Sequence, residues 1–485
     1  MIDRASRNRG PCKPRRIMNH LVMYGAIMVL SLVTPATLFA HAHLIKSRPA
    51  AGAQVSSSLS QLRLWFSETP EVSLSHVTLL NAQGDTVPLG PVTHDLSGTS
   101  ALAVVVSHPL PPGSYRVRWR TAAADGHPSH GEFSFTVIAP ASVSSPLSTT
   151  PTNPGSTHPL STQSASTSRV TFDVRSPVYV AIRWLLLTTL IIVIGTVVFH
   201  HTVTSAVTLR ANDPTFTQVL SARTARLGVW TTVVLGIATV ARLVAQYMVL
   251  GRPALSVMLG HTTWGIGWLM QASAVVLTAL GFALARSSAN APTDTEPPMQ
   301  RSGWRLAGIG ALVLAVTPAL SGHAFATSRL TMLAVVSDAG HVLGAGGWLG
   351  SLLVLTSIAL SAVHPVDPTR RGTVAALLVN RFSQTALFCV ALTLITGIVA
   401  AWLHVGTWAA LWRSTYGRTL LLKLGVLAFV VAVGAYNWRI VQPALAREAT
   451  GSVQSLRRSA TLELICGAAV IVVTAILMAT PIPTE

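Results

Sequence analysis

Tyr115-Arg116-Val117-Arg118-Trp119 alternates apolar and charged residues with a period of two, the pattern of a strand with one face buried and the other in water. Leu62-Arg63-Leu64-Trp65-Phe66 repeats the alternation, and Val77 to Leu80, Ala103 to Val106 and Phe133 to Val137 are further strand candidates. Pro111-Pro112-Gly113 and Asn81-Ala82-Gln83-Gly84 supply turns between them. Residues 41–138 are therefore expected to form an all-β sandwich or Greek-key barrel.

Upstream lies a basic stretch with Arg4, Arg7, Arg9, Lys13, Arg15 and Arg16, then an apolar run from about Leu21 to Ala40. Residues 1–40 have the form of a secretory signal, with an uncleaved anchor as the alternative reading. Leu38-Phe39-Ala40 allows a cut before His41, and Ala40-His41-Ala42 allows one before His43. Cys12 falls in this segment, and residues 41–138 contain no cysteine, so disulfides are not expected in the β-domain.

A cut after Ala40 would leave His41 with an imidazole and a free α-amine able to chelate one metal. His127 adds a nitrogen and Asp125 a carboxylate oxygen, both from the segment Asp125-Gly126-His127. Nitrogen with oxygen is the donor set that Cu(II) favours, whereas Cu(I) favours sulfur. No Met or Cys lies between His41 and Ile138, so the set reads as a Cu(II) site. An isolated Asp-Gly-His is more often just a turn. His43 is a competing ligand, because an amine with His at the third position can wrap Cu(II) through backbone amides; a solvated role or support of the other ligands fits it better. His76, His94, His108 and His130 have no such context and read as polar surface.

Several segments of this region resemble the CopC family: His41 followed by Ser47-Arg48-Pro49-Ala50, Leu64-Trp65-Phe66-Ser67-Glu68, Pro112-Gly113-Ser114-Tyr115-Arg116-Val117-Arg118-Trp119, and Ala124-Asp125-Gly126-His127-Pro128 with Gly131-Glu132-Phe133-Ser134-Phe135. The resemblance implies an immunoglobulin-like β-fold and a Cu(II) site at His41, Asp125 and His127. The Met-rich Cu(I) segment of two-site members is absent.

Residues 139–168 contain no Lys, Arg, Asp or Glu and are rich in Ser, Thr and Pro, so residues 139–175 read as a flexible tether. Such a tether spans roughly 30 Å and keeps the β-domain near the C-terminal part of the chain. That C-terminal part is apolar. The 485 residues are 50% hydrophobic and 10% charged, and the mean hydropathy is +0.53. Soluble proteins carry about 25% charged residues, so the chain reads as a membrane protein. Residues 176–485 hold eight runs long enough for transmembrane helices, near 178–200, 226–250, 264–285, 304–321, 331–362, 382–404, 419–442 and 459–480. The fifth is long enough to be tilted or broken. The expected fold is thus a β-domain joined to an all-α polytopic bundle.

The net charge of +18 does not point to nucleic acid, because the basic residues are spread over short loops without a basic patch or aromatic partners. With the β-domain outside, the inner loops hold Arg210, Arg223, Arg226, Arg286, Arg301, Arg305, Arg370, Arg371, Arg381, Arg439, Arg447, Arg457 and Arg458. The outer ones hold only Arg252, Arg329, Arg413 and Arg418. This is the positive-inside bias, and it places the chain in a bacterial cytoplasmic membrane with its N-terminal domain on the periplasmic or extracellular side.

That topology puts Met248, Met258, His261, His323 and His404 at the outer ends of helices or in outer loops. Asp338 and His341 share one face about two turns down the fifth helix. Buried ionisable residues are costly in lipid and mark pathways, and Gly340, Gly344, Gly346, Gly347 and Gly350 would let neighbouring helices approach them. These residues form the candidate metal path, which would carry Cu(I) if reduction intervenes. His261 and His404 are equally consistent with plain interfacial side chains. Cys389 and Cys466 fall in the inner half and read as small packing residues rather than a Cu(I) exit. Arg242, Lys423 and Glu463 are candidates for structural ion pairs, with partners not evident from sequence.

Ser321-Gly322-His323-Ala324, Asp338-Ala339-Gly340-His341, Trp348-Leu349-Gly350, Arg381-Phe382-Ser383, Tyr416-Gly417 with Lys423, Asn437 and Glu463 occur in the order seen in the CopD family, which this half resembles. Ser351 stands where many members have glycine. Together the resemblances imply a CopC–CopD fusion that binds copper and moves it, by import, across the membrane. A reductase or copper chaperone is a candidate partner. No catalytic constellation or nucleotide motif appears, so an enzyme or ATP-driven pump is not expected. The competing readings are a haem-binding electron-transfer protein, since paired His on helices also hold haem, and a membrane-anchored copper store.

Overall fold

A computed structural model describes residues 44–56, 59–95, 100–123, 126, 128–139, 176–211, 213–287, 298–320, 331–405, 408–437, 439 and 452–478. Nine strands form the N-terminal part: β1 Leu44–Arg48, β2 Gln54–Ser56, β3 Gln61–Phe66, β4 His76–Leu80, β5 Thr86–Val87, β6 Leu89–His94, β7 Ala101–Val106, β8 Gly113–Ala122 and β9 Pro128–Ile138. They build two sheets, β1-β3-β7-β6 and β2-β9-β8-β4-β5, and every pairing is antiparallel except β2 with β9.

The alternation read from the sequence is the alternation of burial. Along β8, Tyr115, Val117 and Trp119 are buried while Arg116, Arg118 and Arg120 are exposed. Along β3, Leu62, Leu64 and Phe66 point into the same core. Each large apolar side chain buried there contributes about 1.5–3 kcal/mol. Trp119 meets Phe66 edge-on, with ring centroids 5.1 Å apart. Gly131, opposite Trp119 in the β8–β9 register, leaves room for the indole, because a Cβ there would lie 2.7 Å from the ring. His76, His94, His108 and His130 are all exposed, as expected of polar surface.

Among the described residues, eight helices are long and apolar enough to cross a membrane. They lie on α1 Pro177–Phe199, α2 Pro214–Val249, α3 Thr263–Ser287, α4 Pro298–Leu320, α5 Thr331–Ala345 with its continuation to Ala362, α6 Pro368–Val405, α7 Thr415–Tyr436 and α8 Ser452–Leu477. Caps fix several starts: Ser176 accepts from Tyr179 N ahead of Pro177, Asp213 accepts from Phe216 N ahead of Pro214, and Ser414 accepts from Gly417 N. The helices overrun the apolar runs. α2 begins at Pro214 rather than near 226, and α6 at Pro368 rather than near 382. Hydropathy marks only the stretch in lipid, whereas a capped helix continues into the polar region. α5 does not stop at its glycines; it continues through π-helical turns at Gly346–Gly350 and Leu355–Ala359 as far as Ala362.

The glycines of α5 do permit close packing. Gly350 faces Gly195 of α1 so closely that a Cβ on Gly195 would fall 2.3 Å from Gly350 Cα. The neighbouring Ser351 is fully buried and donates from its hydroxyl to the Gly195 carbonyl at 3.1 Å, so a serine is accommodated there without an unpaired polar group. Large apolar side chains such as Ile237, Val336, Leu387 and Ile398 remain exposed on the outside of the bundle, as helices in lipid require.

Candidate functional site

The β-domain sits on the end of the bundle formed by the start of α1, the end of α2 and the start of α3. Gln246, near the end of α2, donates from Nε2 to the carbonyl of Gly126 at 2.5 Å. Gly126 has φ +86°, a left-handed conformation that favours glycine, and a Cβ there would also press on Gln246 and on Trp264 of α3. Glu71 supplies the second tie. Its Oε1 accepts from the Thr263 backbone N–H at 3.1 Å and from the Thr263 hydroxyl at 3.0 Å. A carboxylate at the first N–H of a helix satisfies an orphan donor and suits the helix dipole. Ser73 donates to the His261 carbonyl at 3.4 Å, and the Arg120 guanidinium lies directly over Gly251.

Beneath Gly126 is a buried polar layer. The Tyr179 hydroxyl donates to Gln246 Oε1 at 2.5 Å, which turns the Gln246 amide so that Nε2 faces Gly126. Arg242 donates to Gln271 Oε1 at 3.2 Å and lies over the Trp264 ring, 5.3 Å from its centroid. Gln271 passes the chain on to the Thr239 hydroxyl at 2.9 Å. Arg183 stacks over Tyr179 at 4.6 Å. The layer is cationic, which makes it a poor passage for a bare metal ion.

His41, His43, Asp125, His127 and His323 lie outside the described residues, as does the side chain of His404 on α6. Gly126 is therefore the fixed point of the Asp125-Gly126-His127 segment. The other path candidates scatter. Met258 is fully buried, Met248 is about half exposed, and His261 is exposed at the end of the short helix Leu255–Gly260. Among the described residues, no three His, Cys, Asp or Glu gather into a metal-binding group.

Asp338 and His341 do share one face of α5, and each has a partner from another helix. His341 Nδ1 lies 3.1 Å from the Thr393 carbonyl of α6. A carbonyl only accepts, so Nδ1 carries the proton and Nε2 keeps the lone pair that a metal would use. Asp338 is within electrostatic reach of Lys423 and Tyr416 on α7. The three ionisable residues without evident partners in the sequence are thus partnered separately: Lys423 with Asp338, Arg242 with Gln271 and Trp264, and Glu463 with the Asn437 side-chain amide. Cys389 and Cys466 are buried in one apolar cluster with Trp348, Val430, Val433 and Leu462, which agrees with their reading as packing residues.

Sequence reasoning did not single out Glu71, Tyr179, Gln246 or Gln271. The signal available was a lone polar residue in an otherwise apolar run, which marks Gln246 and Gln271 but says nothing of what they meet.

Three family descriptions match the chain: CopC domain over residues 44–138, Copper resistance protein D-like, N-terminal domain over 173–331, and Copper resistance protein D over 376–477. The chain carries CopC and CopD copper resistance domains in one polypeptide. The copper transport protein CutJ of Bacillus subtilis (strain 168) is 26% identical over 462 residues, covering 95% of this chain and 78% of CutJ. Protein YobA of Escherichia coli (strain K12) is 35% identical over 112 residues, 23% of this chain and 90% of YobA. The crystal structure of CopC from Methylosinus trichosporium OB3b shares 26% identity and covers 21% of this chain and all of that one, with a TM-score of 0.20. The CopC domain is the β-sandwich and the CopD part is the helical bundle, so the two sequence resemblances and the β-plus-helical fold hold.

Proposed function

We propose that the chain imports copper across the bacterial cytoplasmic membrane. The CopC domain lies on the outer side and holds Cu(II) with the amine and imidazole of His41, the carboxylate of Asp125 and the imidazole of His127. His43 is a neighbour that can compete. The copper passes to the CopD bundle, whose path includes Asp338 and His341, with His323, His261, His404, Met248 and Met258 nearer the outer surface. Passage as Cu(I) needs a reductant, and delivery inside needs an acceptor such as a chaperone.

One observation carries this reading. Gly126, the residue between the two proposed loop ligands, is hydrogen-bonded to Gln246 of the membrane domain, so the chain touches the bundle at that residue. The name of CutJ, a copper transport protein, supports a role in transport, and the arginine bias supports an outer position for the CopC domain. Because Arg183 and Arg242 make the layer under Gly126 cationic, copper is assigned to the α5–α6–α7 side, where Asp338 offsets the charge of Lys423.

Copper content of cells with and without the protein, at equal external copper, tests the reading. Import predicts a higher content in cells that carry it. An unchanged or lower content contradicts import.

A further inference from the structure

A cavity of about 310 Å³ opens between α5, α6, α7 and α8, on the end of the bundle away from the CopC domain. Its walls are apolar. Trp348 and Phe382 line it, and the exposed Leu387 places it beside the lipid-facing surface of α6. The polar groups that reach it are Glu463, Asn437, Thr356 and Ser383.

These groups share a deficiency. The Thr356 hydroxyl donates to the Leu352 carbonyl at 2.9 Å, and the Ser383 hydroxyl donates to the Val379 carbonyl at 2.8 Å. Each has its proton engaged and offers only a lone pair to the cavity. Asn437 donates to Glu463 Oε1, and its own Oδ1 is buried with no hydrogen-bond partner. At Asn437 Oδ1 the unmet need is for a donor. A buried acceptor left unpaired costs free energy, and native structures seldom keep one without a function or an occupant. Glu463 is only 4% exposed, and among the described residues no three His, Cys, Asp or Glu gather around it.

We propose that this cavity binds a hydroquinone-class lipophile, a flat ring with hydroxyl donors and an apolar tail. The ring would lie against Trp348 and Phe382, with one hydroxyl donating to Asn437 Oδ1 and the other to the Thr356 or Ser383 oxygen. The tail leaves past Leu387 into the membrane. The volume suits one ring and the start of a chain, not a two-chain phospholipid. The oxidised quinone offers only acceptors and matches the site less well. The inference is independent of the copper reading.

Calorimetry of the full chain in quinone-free detergent, under anaerobic conditions, tests it with decyl-hydroquinone, the matching decyl-quinone and dodecylamine. Hydroquinone should bind one to one, with the quinone about tenfold weaker, the order of one hydrogen bond to a polar group. Asn437→Leu should lose about tenfold, and Ala386→Phe, which fills the cavity, should abolish binding. Both variants are compared at unchanged thermal unfolding and Cu(II) binding. Equal affinity for quinone and hydroquinone, binding that survives Ala386→Phe, or dodecylamine displacing the hydroquinone at lower concentration would each overturn the proposal. The last outcome would assign the cavity to an ammonium head instead.

Discussion

Gln246 donates a hydrogen bond of 2.5 Å to the carbonyl of Gly126, joining positions 120 apart in sequence. The bond is oriented from below by the Tyr179 hydroxyl on the other atom of the same amide. One side chain therefore connects Gly126 to α1 and α2 together. Glu71, capping α3 at Thr263, makes the contact two-sided.

Removing the amide should loosen the loop from the bundle without touching a metal ligand. Gln246→Ala leaves the Gly126 carbonyl without its donor, at about 1 kcal/mol, or roughly a fivefold loss of docked population. Copper accumulation should fall while the Cu(II) affinity of the purified protein stays unchanged. Glu71→Ala should add to the effect through the lost helix cap, worth about 0.5–2 kcal/mol. If the double variant accumulates copper like the parent, docking does not serve transfer.

The membrane path is tested separately. Asp338→Asn leaves Lys423 without its opposing charge, and His341→Ala removes the Nε2 lone pair. Either change should lower copper accumulation while Cu(II) binding outside persists. His323→Ala should be milder, because other outer donors can substitute. Normal accumulation at normal expression in the Asp338 and His341 variants would remove that pair from the path.

Packing of α1 against α5 predicts a stability effect unrelated to metal. In Gly350→Ala the new Cβ would lie 2.2 Å from the Ile191 carbonyl oxygen, so the helices must separate and the Ser351–Gly195 bond must stretch. Overpacking of this kind costs about 1–3 kcal/mol. Thermal unfolding in detergent should drop by several degrees for Gly350→Ala and much less for Gly260→Ala, whose Cβ would meet nothing within 4 Å. Equal midpoints for the two variants would show that the contact is not tight.

Much of this architecture is legible in the sequence because its physics is local. Tyr115 to Trp119 announces a strand, since a one-residue slip would expose its whole apolar face. The helices announce themselves by apolar length. The CopC–bundle contact is not local. Glu71 and Thr263 are 192 positions apart, and neither looks unusual in its own segment. The partner of Glu463 was hidden for another reason: an ion pair suggests itself for a buried carboxyl, yet the structure supplies an amide, Asn437. The π-turns of α5 leave no mark beyond a cluster of glycines, which also fits ordinary close packing.

The N-terminal chelate makes a claim about pH. The α-amine has a reference pKa of about 7.7–8.0, so near neutrality Cu(II) must displace a proton to use it. Affinity should weaken as pH falls from 8 to about 6, where the protonated amine prevails. Placing one Ala ahead of His41 moves the amine off that residue and should weaken Cu(II) binding much as His41→Ala does. His127→Ala should be comparable and Asp125→Ala milder. N-terminal sequencing of the mature protein must show His41 first. A chain that begins at His43, or an unaltered electron paramagnetic resonance spectrum after the insertion, would contradict the chelate and shift the site to His43 and other imidazoles.

The most direct measurement of copper delivery is uptake into proteoliposomes carrying the full chain, with a copper-sensitive dye inside and limiting copper outside. Wild-type protein should fill the vesicles, and His127→Ala, with its fold intact, should do so several-fold more slowly, the gap closing as external copper rises. Equal rates at limiting copper, or no uptake by either protein with a suitable reductant present, would contradict delivery from the CopC domain through the bundle.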